Sequence, residues 1–317
     1  MKSSFSIHHY IRCYNFLMKN EIQELAIIGP TASGKSDLAI AVAKKINAYI
    51  LSIDSLSIYK EIDIVSAKPS KKELGEIKHF GINYIFPNQY FSVDIFMELY
   101  KEVKKKCIQD SKNLVIVGGT SFYLKSLLDG LSKLPNISKK IEDEVKKELS
   151  DLEKTFSFLK SLDPHYMKNI DKNDSYRIEK ALLIYRASNQ TPSEWFSNNP
   201  PKPIIESLDI FNIEVQKSIL KERIVQRTSK MIDMGLIDEV SYLEGKYTRS
   251  PNSMQSIGVV EVLEYLDGKV SQATMLENII VHTTQLAKRQ QTFNRSQFNS
   301  ITHAPLEKLE GMILDSL

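Results

Sequence analysis

The chain of 317 residues has no apolar run near the roughly 18 residues that a membrane-crossing helix needs, so neither a span nor a membrane partner is expected. Cysteine is almost missing. Cys13 and Cys107 stand far apart and form no CxxC pair, which excludes a disulfide scaffold and a cysteine-based zinc site. A reducing cytoplasm is the expected compartment. An excess of charge of one sign is missing too: the net charge of +3 is too small to argue by itself for a nucleic-acid partner. What is present is ordinary for a folded protein, with 42% hydrophobic and 26% charged residues. The length suits one large or two modest domains, and a monomer is the default.

Residues 1–20 read as a loose extension. They are not a secretory signal, because His8, His9, Tyr10, Arg12 and Asn15 break the apolar stretch. Met18 is the suspected start. Four short runs, 24–29, 48–53, 112–117 and 208–214, read as strands. The first three each lead into a turn of small residues, and helical patterns follow at 37–46, 94–110 and 121–130. Strand, small-residue turn and helix in repetition imply parallel strands with crossover helices. Ligands of such sheets sit at the carboxyl ends of the strands. From about 133 the strand signals stop and lysine-rich amphipathic helices take over, up to the linker Pro200-Pro201-Lys202-Pro203. Beyond 214 the chain is helical over 216–234, 235–245, 257–267 and 271–292.

Gly29-Pro30-Thr31-Ala32-Ser33-Gly34-Lys35-Ser36 satisfies GxxxxGK[ST] between a strand and a helix. The glycines let backbone N–H groups turn inward around an anion, and the helix start adds its positive dipole end. Lys35 neutralises the terminal phosphate, and the Ser36 hydroxyl can hold Mg²⁺. The motif holds a di- or triphosphate and is silent on hydrolysis. The expected fold is therefore α/β: a P-loop NTPase-like parallel sheet core over 21–132, an inserted all-helical domain over 133–202, and a mostly helical return to the core over 203–317.

Asp54 ends the second strand, so its carboxylate should face the phosphate loop. Three roles stay open for it: Mg²⁺ binding through water, general base, or helix N-cap. Gly118-Gly119-Thr120 offers backbone donors at a strand end, or is simply a tight turn. Lys68, in Ser66-Ala67-Lys68-Pro69-Ser70, is a candidate phosphate or nucleic-acid contact, or an exposed loop lysine. No clear Walker B pair and no arginine-rich lid is present. The residues alone leave two readings, a P-loop phosphotransferase or an enzyme with diphosphate as leaving group.

Further motifs accompany the phosphate loop: Asp54-Ser55-Leu56-Ser57-Ile58-Tyr59-Lys60, Ser66 to Ser70, Val117-Gly118-Gly119-Thr120, Asn173-Asp174 with Arg177, and Gln285-Leu286-Ala287-Lys288-Arg289-Gln290. In order and spacing, over about 24–296, the series resembles the bacterial tRNA dimethylallyltransferase family. The resemblance implies that the loop Gly29–Ser36 holds the diphosphate of dimethylallyl diphosphate. It implies Asp54 as general base toward the N6 amine of the adenine 3′ of the anticodon, Arg227 as partner of the leaving diphosphate, and Thr120 as a catalytic contact to the target nucleotide. tRNA would be bound by Asp54, Ser55, Leu56, Ser57, Lys68, Thr120, Arg177, Gln285, Lys288 and Arg289. Mg²⁺ on Ser36 would be the cofactor, and the helical insertion would grip the anticodon stem-loop. The target base must leave its stack to react. Thr284 and Phe293 depart from the arginine and tryptophan usual in the family at those places. Three rivals stand beside this reading: an adenylate isopentenyltransferase acting on a free nucleotide, a small-molecule P-loop kinase, and a non-catalytic RNA-binding protein.

Overall fold

The computed structural model describes residues 22–298 and 300–317, and the expectation for residues 1–20 lies outside them. Six strands form one sheet: β1 (Glu24–Ile28), β2 (Ala48–Ser52), β3 (His79–Phe80), β4 (Asn113–Gly118), β5 (Asp209–Glu214) and β6 (Thr302–Pro305). Their order is β3-β2-β4-β1-β5-β6, and every neighbouring pair is parallel. Central strands such as LVIV of β4 are apolar at successive positions because helices cover both faces of a parallel sheet. The register sets Ile28 opposite Gly118 and Asn212, and Ser52 opposite Val117. The segments leaving β1, β2 and β4 therefore emerge side by side. The four long strands lie within a residue of where the short runs placed them. The two edge strands escape the pattern: β3 has only two residues, and β6 ends on a proline, which an edge tolerates.

Helices α1 (Lys35–Lys45), α2 (Lys71–Glu76), α3 (Val93–Asp110) and α4 (Ser121–Asp129) follow the strands of the first half. After β5 come α10 (Lys217–Asp233), α11 (Leu236–Tyr247), α12 (Val259–Leu266), α13 (Gln272–Gln297) and, beyond β6, α14 (Leu306–Asp315). Between the two halves lie α5 (Lys139–Glu148), α6 (Leu152–Leu162), α7 (Pro164–Met167), α8 (Ser175–Ser188) and α9 (Pro192–Asn198).

The chain divides into two compact units. One ends at Lys125 and resumes over Ser207–Leu317; the other is Ser126–Glu206. The first builds its core from Ile27, Ile50, Val115 and Phe211 of the sheet against Ala39 and Val42 of α1 and Leu309 and Ile313 of α14. The second has a core of its own, with Val145, Leu159, Met167, Ile178, Ala181 and Leu182. It reaches further in both directions than the lysine-rich stretch 133–202. Leu127 accepts backbone hydrogen bonds from Ile204 and Ile205 at 2.8 and 3.0 Å, which closes the unit at its ends. No helix among the described residues is long and apolar enough to cross a membrane.

Candidate active site

The turn from β1 into α1 is the phosphate loop. Ala32 (φ 63°) and Gly34 (φ 90°) place alternate residues in the left-handed region. That alternation turns successive N–H groups toward one side and makes an anion seat. Gly34 is also the N-cap of α1, and its own side-chain-free cap leaves the first amides of the helix open. Lys35 folds back along the loop, donating from Nζ to the Pro30 carbonyl at 3.2 Å. Burial pushes its ammonium down to about 8; Asp54 opposes this shift and Arg227 adds to it. Arg223 donates to the Ser33 carbonyl at 3.3 Å. The Ser33 hydroxyl is buried without a partner, as a group awaiting an acceptor would be.

Asp54 leaves the end of β2 directly opposite. Its Oδ1 accepts the N–H groups of Leu56 and Ser57 at 2.9 and 3.0 Å, a local turn that fixes the carboxylate. No hydrogen bond within the described residues occupies Oδ2. The carboxylate is thus anchored through one oxygen and open through the other. Gly118 makes this approach feasible: a Cβ there would come within 2.7 Å of Ile53 Cγ1 and 3.1 Å of the Asp54 nitrogen. Thr120 accepts the Ser55 N–H on its Oγ1 at 3.3 Å, joining the β2 and β4 turns.

Two adjoining cavities share Thr31, Asp54, Ser66 and Arg227. One, of about 250 Å³, is walled by the phosphate loop from Thr31 to Asp37 with Ser57, His79 and Gly118. The other, of about 170 Å³, adds Thr120 and Gln290 and the apolar side chains Val65, Met231, Leu236, Ile279 and Leu286. Arg227 faces both. Burial pulls its guanidinium below the ordinary arginine value, with Asp54 pulling the other way.

Thr31 to Ser36, Asp54 to Ser57, Thr120 and Arg227 thus line one pair of cavities, with Gly29 and Pro30 leading into the loop from β1. Lys68, expected at an RNA contact, lines neither cavity. Its side chain is 4% exposed. The ammonium donates to the Tyr59 carbonyl at 2.6 Å and to Asp63 Oδ1 and Asn83 Oδ1 at 2.8 Å each. All three donors are used, so Lys68 fastens the loop between β2 and β3. Arg177, on α8, is exposed and 3.3 Å from Asp174. Gln285, Lys288 and Arg289 are exposed on one face of α13. Arg186, another basic residue of the inserted helices, is held by Glu148 through two hydrogen bonds of 2.9 and 2.7 Å.

Four contributors went unassigned at the level of sequence. Gln290 accepts the Thr31 N–H on Oε1 at 2.8 Å, and Arg223 reaches the loop from α10. His79 lines the phosphate-loop cavity. Glu239 of α11 accepts the N–H groups of Asp63, Ile64 and Val65 at 2.8 to 3.0 Å, pinning the turn that carries Ser66. Gln290 lies inside a quoted motif; nothing local marks Glu239, whose role depends on a contact across the fold.

The family model described as IPP transferase matches residues 57–297. The tRNA dimethylallyltransferase of Sulfurimonas denitrificans is 66% identical over 294 residues, spanning 93% of this chain and 99% of its own length. The crystal structure of a tRNA isopentenylpyrophosphate transferase from Staphylococcus epidermidis is similar with a TM-score of 0.65 and 30% identity, over 93% of this chain and 98% of that one. A eukaryotic dimethylallyltransferase crystallised acting on tRNA shares the fold with a TM-score of 0.78 at 23% identity, over 90% of this chain and 75% of the other.

Proposed function

Because the chain belongs to the IPP transferase family, we propose that it transfers the dimethylallyl group of dimethylallyl diphosphate to N6 of the adenine 3′ of the anticodon, position 37, in tRNAs that read codons starting with U. The observation that carries this reading is the pair of cavities joined at Asp54 and Arg227, one an anion seat and the other part apolar. A kinase needs a phosphate seat and a bound acceptor, but no apolar place beside the phosphates. An alkyl transfer needs a phosphate seat, an apolar place beside it and a base between donor and acceptor. The tRNA acceptor named for the relatives supports this reading over a free adenylate acceptor.

An exocyclic adenine amine is a poor nucleophile, because its lone pair is delocalised into the ring. Asp54, held through Oδ1, presents Oδ2 to that amine, orients it and takes its proton as the N6–C bond forms. The allylic C–O bond breaks, and its electron pair leaves with the diphosphate. Lys35, Arg227 and the loop amides stabilise that charge, fixed in place before the reaction begins. The apolar wall of Val65, Met231 and Leu236 excludes water, which would otherwise capture an allylic cation.

The residues fit Mg²⁺ as a partner of the diphosphate. No group of three or more His, Cys, Asp or Glu that could hold a metal occurs among the described residues. The Ser36 hydroxyl at the loop would be the protein ligand, diphosphate oxygens and water completing a hard oxygen shell. When bound, the ion would add positive charge at the leaving group.

The test is to incubate the full chain with Mg²⁺, dimethylallyl diphosphate and tRNA from cells lacking the modification, and to weigh the digested nucleosides. The wild-type protein should yield N6-dimethylallyladenosine at position 37. Asp54→Asn should lower the rate by about 10²–10⁴-fold with tRNA affinity kept. Prenylation of AMP in place of tRNA would overturn the acceptor assignment. A fully active Asp54→Asn protein would overturn the base.

A further inference from the structure

Gln290 occupies a place that neither a phosphate-binding motif nor an RNA-facing helix requires. It is on the last third of α13, directly after Lys288 and Arg289, which are exposed. Its own side chain turns inward and lines the apolar cavity. The carboxamide has one acceptor and one donor end. Oε1 accepts the Thr31 N–H at 2.8 Å, on the turn after β1. The Nε2 end lies against Gly119, on the turn after β4. A Cβ at Gly119 would collide with Nε2 and stand 3.1 Å from Cδ. Gly119 is followed by Thr120, which accepts from Ser55, the neighbour of Asp54. One side chain therefore spans from the turn beside the phosphate seat to the turn beside the base.

We propose that Gln290 is a positioning residue of the transfer reaction: it sets the spacing between the donor-side turn at Thr31 and the acceptor-side turn at Gly119-Thr120, and ties both to the helix that carries Lys288 and Arg289. This rests on the prenyl-transfer reading given above. Alkyl transfer is sensitive to such spacing, because the attacking nitrogen, the allylic carbon and the leaving oxygen must be aligned within a fraction of an ångström. The absence of a side chain at Gly119 has the same origin. Its backbone is not in the left-handed region, so alanine is tolerated there by conformation. The carboxamide of Gln290 is what a methyl group would displace.

The test is a four-protein set: wild type, Gln290→Leu, Gly119→Ala and the double variant, all as full chains. Gln290→Leu removes both hydrogen-bonding ends at similar volume. Gly119→Ala pushes the carboxamide off Thr31. Each single change should lower kcat by about tenfold or more, with the tRNA dissociation constant and the melting temperature nearly unchanged. The double variant should be no worse than the worse single variant, because both changes abolish one contact. Losses that multiply in the double variant would overturn the proposal. So would a kcat within twofold of wild type in Gln290→Leu, or a loss that tracks a lowered melting temperature. Inorganic diphosphate binding by calorimetry is the second readout. Because Gln290 holds the Thr31 turn, either single change should weaken diphosphate binding and the double variant no further; if wild type fails to prenylate tRNA, the functional reading fails, while unchanged diphosphate affinity in Gln290→Leu would overturn the link itself.

Discussion

Lys35 sits under its ordinary pKa because burial strips water from the ammonium, and the about 8 that results places its titration inside the working range of an enzyme. A bound diphosphate favours the charged form and raises that value. Below about 8 the free protein already carries the charge, so donor affinity should be flat with pH. Above it, each binding event must take up a proton, and affinity should fall by about tenfold per pH unit. Measuring donor KM from pH 6.5 to 9.5 checks this. Lys35→Arg, which keeps its charge throughout, should bind more weakly but show no such slope. Lys68 argues the opposite case. A lysine in a Ser-Ala-Lys-Pro-Ser loop reads as a surface charge, and only the fold supplies the three acceptors that enclose it. Lys68→Met should cost about 2 kcal/mol of unfolding free energy, since it leaves the Tyr59 carbonyl, Asp63 and Asn83 short of a donor. Denaturant titration measures that loss, and the salt dependence of tRNA binding should not change.

At the scale of elements, what was legible in the sequence is what depends on neighbours in the chain. The four apolar residues before Gly29, the glycine that caps α1 and the aspartate just past β2 are local features, and the parallel sheet follows from the repeated strand, turn and helix. The edge strands β3 and β6 were illegible because pairing with β2 and β5 defines them, not their own two or four residues. The site divides in the same way. Gly29 to Ser36 and Asp54 announce themselves, whereas Glu239 and Arg223 reach it from α11 and α10, helices more than 170 residues further along. Helix α13 joins the two kinds. Its inward face is read from burial of Ile279, Thr283 and Ala287, and its outward face carries Gln285, Lys288 and Arg289. If the outward face meets tRNA phosphates, Lys288→Ala with Arg289→Ala should reduce the slope of log affinity against log salt by about 2. Filter binding across a salt series would show it. The rate at saturating tRNA should stay at the wild-type level, because neither side chain lines the cavities.

The described residues form two compact units, each with a hydrophobic core of its own, and each unit supports a different part of the proposed reaction. The phosphate seat, Asp54 and both cavities belong to the unit built on the sheet. Arg177 and the lysine-rich helices belong to Ser126–Glu206, which fills its interior with its own residues, from Val145 to Leu183. Its basic residues are only partly free: Lys139 and Lys140 lie within 4 Å of acidic neighbours one turn on, and Arg186 is committed to Glu148. If this unit grips tRNA, binding should depend on its shape being kept more than on its charge total. Leu182 is fully buried in that core. Leu182→Ala should destabilise it by about 2–5 kcal/mol, the cost of a large-to-small change in a packed interior. Because the sheet unit has a separate core, affinity for inorganic diphosphate should be kept, while tRNA affinity and prenyl transfer to tRNA fall together. Calorimetry with diphosphate and filter binding with tRNA, run on the same preparation, separate the two. Equal loss of both would mean that the cores are energetically one, and that diphosphate binding needs the helical unit intact.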